Sequence, residues 1–500
     1  MQSKKAIIIG SGIAGIATAI RLAVQGFAVS IYEKNEMPGG KLAAFTQDGF
    51  NFDAGPSLFT QPQNIQDLFI LAGEPIEKYF TYKKVGIACK YFYGNGKIVS
   101  AYTNKNDFAT ELQQKLFEPT ENVHAYLAQA EKLYNYVGNV FLNHSLHKRT
   151  TWLHKRIINA IKALKFGYIF QSLSTYNNKK FKTTEAAQLF NRYATYNGSN
   201  PYKAPAMLSL IPHLEQNEGT FYPDGGMISI CNALVNLAKA KGVQFYCGTQ
   251  VQRIIHHESK VAGIVVNNKN IFADIVISNA DVYFTFKHLL NNQRRANIVL
   301  KQERSSSAII FYWGIKKQFK QLQLHNIFFS NNYQQEFTDI FKNKTIAADP
   351  TVYINITSTM QESHAPAGMQ NWFVMVNAPA NTGQNWNMLK QKVRTTVLQK
   401  LSNQLNENIE DLIVTEHTLD PVIIEAQTAS YMGSLYGTSS NSKLAAFLRH
   451  PNFSSTIKGL YFCGGSVHPG GGIPLCLHGA KIVSNLVLQS KNKHTTFTHA

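Results

Sequence analysis

Acidic side chains are scarce in this 500-residue chain: 30 Asp and Glu stand against 49 Lys and Arg, leaving a formal net charge of +19. Charged residues of both signs make up only 16%, little for a freely soluble enzyme. Cysteine is also sparse. Cys89, Cys231, Cys247, Cys463 and Cys476 are scattered and never spaced C-x-x-C, so no metal site or redox pair is expected and the thiols fit a reducing compartment. No run of about 18 uncharged apolar residues occurs, which excludes a membrane-spanning helix at this stage. The basic excess comes without a zinc-finger or RRM signature and without a long basic run. Nucleic acid is therefore not an expected partner, and solvated surface or an anionic membrane face is. Repeats and low-complexity segments are lacking, and only the tail beyond about Ser490 reads as disordered. The first strand begins almost at once, with no signal peptide ahead of it, which predicts a cytoplasmic protein.

Hydrophobic residues reach 44% and aromatics 12%, enough for a globular core. The length is too great for one small core, so two intertwined domains are expected. The organising stretch is at the start. Ala6 to Ile9 is an apolar run of the kind found in buried parallel strands, and Gly10, Gly12 and Gly15 then form a G-x-G-x-x-G turn into a helix. The first glycine permits the tight turn, the second admits a pyrophosphate, and the third lets helix and strand pack closely. Ile13 and Ala14 open the helix, whose free N–H groups suit phosphate. A second strand, Ala28 to Tyr32, ends at Glu33, 18 residues after Gly15, where such folds hold a ribose hydroxyl; Lys34 follows it.

Further glycine-rich turns come next. Pro38-Gly39-Gly40-Lys41 allows a second close backbone approach. Alternation from Lys41 to Phe52 around Asp48-Gly49 predicts a hairpin. It leads into Asp53-Ala54-Gly55-Pro56-Ser57, a cofactor-loop candidate. Short strands around 243–281 bring the chain back to the nucleotide region, the last ending in a polar turn at Asn279. Residues 152–170 combine apolar bulk with Lys155, Arg156, Lys162 and Lys165 and with aromatics at both ends, the pattern of an interfacial amphipathic helix; a helix packed on its own domain is the plainer alternative. His213 and Glu215, with Glu218, stand near Pro212 where a pocket wall is plausible, and His468 sits in the closing loop. Each is a weak candidate for proton transfer, with bracing by hydrogen bonds the plainer role.

The closing stretch, Gly464-Gly465-Ser466-Val467-His468-Pro469-Gly470-Gly471-Gly472-Ile473-Pro474, is a second glycine-rich strand–helix junction. Two such junctions at opposite chain ends argue for a cofactor longer than a mononucleotide. With Gly10 to Gly15, Glu33, Pro38 to Lys41, Phe52 to Ser57, Arg192 to Tyr202 and Tyr222 to Met227, the chain resembles the bacterial-type carotenoid desaturases of the phytoene desaturase family over nearly its whole length. The form of the closing loop is similar to that of the hydroxycarotenoid 3,4-desaturase branch.

The resemblance implies an α/β fold: a Rossmann-type FAD/NAD(P)-binding, glutathione-reductase-like domain with an inserted α+β substrate domain. The FAD-binding parts are expected over 1–75, 221–300 and 421–500, and the substrate parts over 76–220 and 301–420. By the same resemblance Gly10, Gly12, Gly15 and Glu33 hold the ADP moiety of FAD, Gly39, Gly40 and Lys41 follow the pyrophosphate, and Val251 reaches the adenine through its backbone. Gly465, Ser466, Gly472 and Ile473 lie along the ribityl chain and ring. The implied substrate is a long apolar polyene drawn from the membrane, docking is expected at the inner face of the cell membrane through 152–170, and oxygen or a quinone takes the electrons. A phytoene desaturase making lycopene, another flavoenzyme of this fold (an amine oxidase, polyene isomerase or saturase) and a lipid-binding escort without flavin stay open as alternatives.

Overall fold

The computed structural model describes residues 3–152, 167–444 and 449–495. The opening strand Lys5–Ile9 lies at the centre of a five-stranded parallel sheet. Its neighbours are Ala28–Tyr32 on one side and Ile275–Ser278 on the other, with Gln244–Tyr246 and Leu460–Phe462 at the edges. Both faces are covered, which is why the strand reads as a continuous apolar run. Ala6 and Ile8 pack with the helices Ile13–Val24, Ile228–Ala240 and Ile473–Thr495. Ile7 and Ile9 pack on the opposite face with Val251, Ile254 and Phe462. There the strands Val251–His257, Lys260–Val266 and Lys269–Phe272 form an antiparallel meander.

The second sheet has seven strands, in the order Ile413–Leu419, Ser307–Ile315, Gln370–Ala378, Val352–Asn355, His325–Phe328, Ile87–Phe92, Ile98–Tyr102. All pairs are antiparallel except His325–Phe328 with Ile87–Phe92. The strand period of two sorts its side chains. Ile309, Phe311 and Trp313 pack beneath the helix Trp386–Leu405. Ile310, Tyr312 and Phe373 turn to the other face, toward Phe50 and Phe52 of the hairpin. That hairpin closes through Asp48 at φ 50° and Gly49 at φ 82°, the left-handed pair that a two-residue type I′ turn requires.

The expected strands and helices recur with small shifts at their ends. His325–Phe328 and Ile413–Leu419 had no counterpart in the sequence reading. The last mixes buried, partly buried and exposed positions at a sheet edge, so it lacks the apolar run of an interior strand. One expectation is corrected: the tail is not disordered from Ser490, because the closing helix continues to Thr495. Of the stretch 152–170, residues 153–166 lie outside the described residues. Among the described residues no helix is long and apolar enough to cross a membrane.

Candidate active site

A cavity of about 1230 Å³ runs between the two sheets, larger than the roughly 300–1,000 Å³ of an ordinary small-molecule pocket. All the residues expected around the cofactor line it except Gly15. Gly15 sits behind the wall, where a Cβ would lie 2.4 Å from the Gly10 carbonyl; this is the close helix–strand packing that the third glycine allows. The loop at Gly39 is held to the first turn by its N–H donating to the Ser11 carbonyl, 3.0 Å. No side chain caps the Ile13–Val24 helix at Gly12, so its first N–H groups stay open to the cavity. Glu33 is buried, and its Oε2 accepts from the Ser11 N–H at 2.8 Å and the Ser11 hydroxyl at 2.9 Å. The acid at the second strand is thereby tied to the glycine turn on the first.

Lys41 reaches across the chain. Its Nζ donates to the carbonyls of Leu435 at 2.6 Å and Ser434 at 3.3 Å. Burial pulls its pKa down to about 8, against the pull of Asp281. Asp281 lines the cavity and is paired with Arg304 at 3.5 Å, whose guanidinium lies over the Tyr431 ring. The buried Arg449 staples the closing loop by donating to the Tyr436 carbonyl at 3.0 Å and the Gly465 carbonyl at 3.4 Å. Asn279 donates to the Gly10 carbonyl at 3.3 Å, joining the third strand end to the first.

Beyond these loops the cavity becomes apolar. Tyr134, Val137, Phe141, Met207, Ile310 and Phe373 are among its walls. One polar cluster interrupts them. Arg192, Tyr196 and Glu215 line the cavity, and the Glu215 carboxylate accepts from Arg192 at 2.9 and 3.2 Å, from Tyr193 at 2.8 Å, and from Tyr196. The Arg192 guanidinium also stacks over Tyr193, at 4.6 Å from the ring centroid. Burial disfavours the Glu215 charge, yet Arg192 and the tyrosine hydroxyls outweigh it and hold the carboxyl below its usual range.

The proton-transfer candidates therefore separate. Glu215 is on the wall, but a carboxylate held down by an arginine, two tyrosines and the Gln216 amide at 3.2 Å is a poor base. His213 is not among the lining residues; its Nδ1 meets the Asn217 amide at 2.8 Å and its Nε2 lies 3.4 Å from Glu218. His468 is not among them either: it is buried behind the loop, with Nε2 at 3.0 Å from the His144 carbonyl, the bracing role. Sequence reasoning passed over Arg304, Tyr353, Arg449 and His325. A lone histidine or arginine gives no periodic signal, but the dense run Arg192-Tyr193-Ala194-Thr195-Tyr196 could have marked a charge stacked on rings.

The family model described as flavin-containing amine oxidoreductase matches residues 13–488. The chain is 49% identical over 484 residues to a 1-hydroxycarotenoid 3,4-desaturase of Flavobacterium sp., covering 97% of this chain and 99% of that one. It is 30% identical over 499 residues to a 4,4'-diaponeurosporene oxygenase of Staphylococcus aureus, covering 98% and 100%. Among solved structures it resembles an oxidoreductase from Methanosarcina mazei, with TM-score 0.62, 15% identity and coverage of 97% and 100%; that likeness speaks to the fold.

Proposed function

The chain belongs to the family of flavin-containing amine oxidoreductases, and on that footing we propose that it is a carotenoid desaturase, introducing a C=C bond at carbons 3 and 4 of a 1-hydroxycarotenoid. It is an FAD-dependent oxidoreductase. The observation that carries the proposal is the near full-length 49% identity to the Flavobacterium desaturase. The apolar walls of the cavity support it, because a hydrocarbon chain needs them and a small amine does not.

The residues suit FAD. A Cβ at Gly12 would lie 2.7 Å from the Asn279 side-chain nitrogen, and at Gly55 it would lie 1.9 Å from the Lys41 carbonyl, so both glycines let the loops around the cavity pack closely. Gly10, Gly12, Gly39, Gly40, Gly465 and Gly472 line the cavity, so backbone without side chains faces the space a long cofactor would take. We assign the uncapped helix start and Gly39, Gly40 and Lys41 to the phosphates, Glu33 to the ribose, Val251 to the adenine, and Gly465, Ser466, Gly472 and Ile473 to the flavin half. The parts 1–75, 221–300 and 421–500 are assigned to the FAD-binding domain. That the five-stranded sheet draws its strands from them supports this.

FAD supplies hydride acceptance, which no side chain can perform. The chain does the rest. Its apolar wall excludes water and holds the polyene straight. Lys41, cationic below about pH 8, adds positive charge beside the glycine loops. The Arg192–Glu215 pair fixes the wall without adding net charge. Electrons leave to oxygen or a quinone. The substrate arrives from the inner face of the cell membrane; the net charge of +19 and the exposed Phe117, Tyr136, Trp152 and Phe170 support docking there.

The test is the pigment profile of a carotenoid-producing strain expressing this chain. Feeding 1-hydroxylated lycopene or γ-carotene types lengthens the chromophore, seen as a red-shifted absorption band. Conversion of colourless phytoene with no action on hydroxylated substrates would overturn the reading.

A further inference from the structure

The polar cluster on the cavity wall leaves part of its donor capacity unused. The Arg192 guanidinium is held among three rings, with the centroids of Tyr91, Tyr193 and Tyr196 at 5.2, 4.6 and 5.3 Å from its central carbon. Its Nη2 is engaged, donating to the Tyr91 hydroxyl at 2.6 Å and to the Glu215 carboxylate at 2.9 and 3.2 Å. Nε is enclosed and has no acceptor. Nη1 also donates to nothing among the described residues, but unlike Nε it is not enclosed. Arg192 lines the cavity and keeps 10% of its side-chain surface accessible. The two N–H bonds of Nη1 are thus presented to the cavity by a group whose plane is already fixed.

Charge decides what these bonds can receive. Burial opposes the Arg192 charge, yet Glu215 outweighs it and holds the guanidinium above its usual range. With Glu215 ionised beside it, the pair carries no net charge and calls for no anion. It can take a neutral oxygen, and a hydrogen bond from an ionised donor is the strong kind. Position narrows the choice. Arg192 is close enough to Tyr353 to act on its hydroxyl electrostatically, and that hydroxyl meets Ser57 at 2.7 Å. The guanidinium is therefore one side chain removed from the Gly55–Ser57 loop, which lines the same cavity. A substrate hydroxylated at carbon 1 and desaturated between carbons 3 and 4 has a single carbon between its carbinol carbon and the reacting bond. Such a hydroxyl has to lie close to the cofactor loops, and among apolar walls it needs a partner.

Resting on the proposed function, we propose that Arg192 is a specificity-determining residue: its Nη1 donates to the hydroxyl oxygen at carbon 1 of the polyene and so favours hydroxylated ends over bare hydrocarbon ones. Glu215, Tyr91 and Tyr193 act as positioning residues that fix the guanidinium plane.

The test compares FAD-loaded wild-type protein with the double variant Arg192→Met, Glu215→Leu on a 1-hydroxylated polyene and its counterpart lacking the hydroxyl. The double variant is chosen because an apolar pair of similar volume leaves no charge stranded in the wall. Three readouts are taken: melting with flavin content, kcat/KM for each substrate, and the affinity for each from the shift of the polyene absorption band on binding. The wild type prefers the hydroxylated polyene. In the double variant the preference drops about tenfold or more, the worth of one buried hydrogen bond, mainly through KM and affinity, although the fold and the flavin are kept. A role confined to the wall would restore the preference together with the stability. If the double variant does not fold, Arg192→Lys keeps a cation for Glu215 but gives up Nη1, and is expected to reduce the preference severalfold. A wild type that prefers the hydroxylated polyene, together with a folded variant that keeps the full preference, would overturn the role of Arg192. A wild type indifferent to the hydroxyl would instead overturn the substrate reading on which it rests, and the inference with it.

Discussion

Replacing Glu215 by glutamine distinguishes a wall-fixing ion pair from a proton acceptor. Glutamine keeps the shape but removes the charge that faces Arg192 at 2.9 Å. Arg192 is then left buried with only phenol oxygens and an amide around it. Removing one partner of a buried pair costs about 3–5 kcal/mol, against a total stability of about 5–15 kcal/mol for a typical fold. Glu215→Gln is therefore expected to unfold at clearly lower urea concentration and to lose flavin on mild warming. The coupling is measured by a cycle. Arg192→Met alone is equally damaging, whereas Arg192→Met with Glu215→Leu recovers much of the loss, since an apolar pair of similar volume removes both desolvation costs. The pH dependence has a definite sign. The folded pKa of Glu215 lies below its ordinary value of 4.5, so the pair's contribution is complete above about pH 4.5 and disappears as pH falls through the folded pKa; no change is expected between pH 6 and 8. A glutamine variant with wild-type melting, a kcat reduced a thousandfold and a lost acid-side limb in its pH–rate profile would refute this reasoning and make Glu215 the base.

Four further outcomes are expected. Asp53, whose carboxyl accepts from the Met227 N–H at 3.0 Å, is pushed up to about 6 by burial, so its ionised form costs the fold and stability falls as pH rises from about 4 to 6. Asp53→Asn keeps an acceptor and is expected to be more stable by roughly 1–3 kcal/mol at pH 7.5, read by denaturant titration across pH. Gly55→Ala puts a Cβ 1.9 Å from the Lys41 carbonyl and should purify with most of its flavin absorbance at 450 nm missing (about the wavelength of oxidised flavin). Lys41 loses its charge above about pH 8, so equilibrium dialysis should find FAD retention weakening severalfold between about pH 7 and 9, while Lys41→Met is flat over that range. The thiols of Cys463 and Cys476 are pushed up to about 12 and about 11 by burial and are poor nucleophiles; acid precipitation should release all flavin to the supernatant, and a yellow pellet would contradict this.

What the sequence disclosed was local. The glycine turn, Glu33 at the next strand end and the Asp48-Gly49 hairpin each place their signal within a few residues, because backbone conformation and strand period are short-range properties. The helix Ile13–Val24 was legible for the same reason. The polar features of the cavity are not local. Arg192 meets Glu215 across 23 positions, and Ser57 meets Tyr353 across 296. Lys41 finds its acceptors more than 390 positions away. The spacing within each segment says nothing about such encounters, and the shifts in charge state at Lys41, Asp53 and Glu215 arise only once the segments have met. His468 and His213 show the converse: histidines in suggestive positions are held by hydrogen bonds, to the His144 carbonyl and to the Asn217 amide.

The order in which the five-stranded sheet recruits its members bears on how the protein is made. Lys5–Ile9 pairs with Ile275–Ser278, and that strand pairs in turn with Leu460–Phe462. A ribosome must therefore extrude more than nine-tenths of the polypeptide before the last strand and the loop after it can dock. Until then the nascent chain has a nucleotide turn but no partner for it, with apolar surface uncovered during minutes or less of synthesis at about 5–20 residues per second. Cofactor capture is thus expected after release rather than during translation, and a host that overproduces the chain faster than it can supply FAD should accumulate insoluble apoprotein, a shortfall that riboflavin in the medium or slower expression would correct.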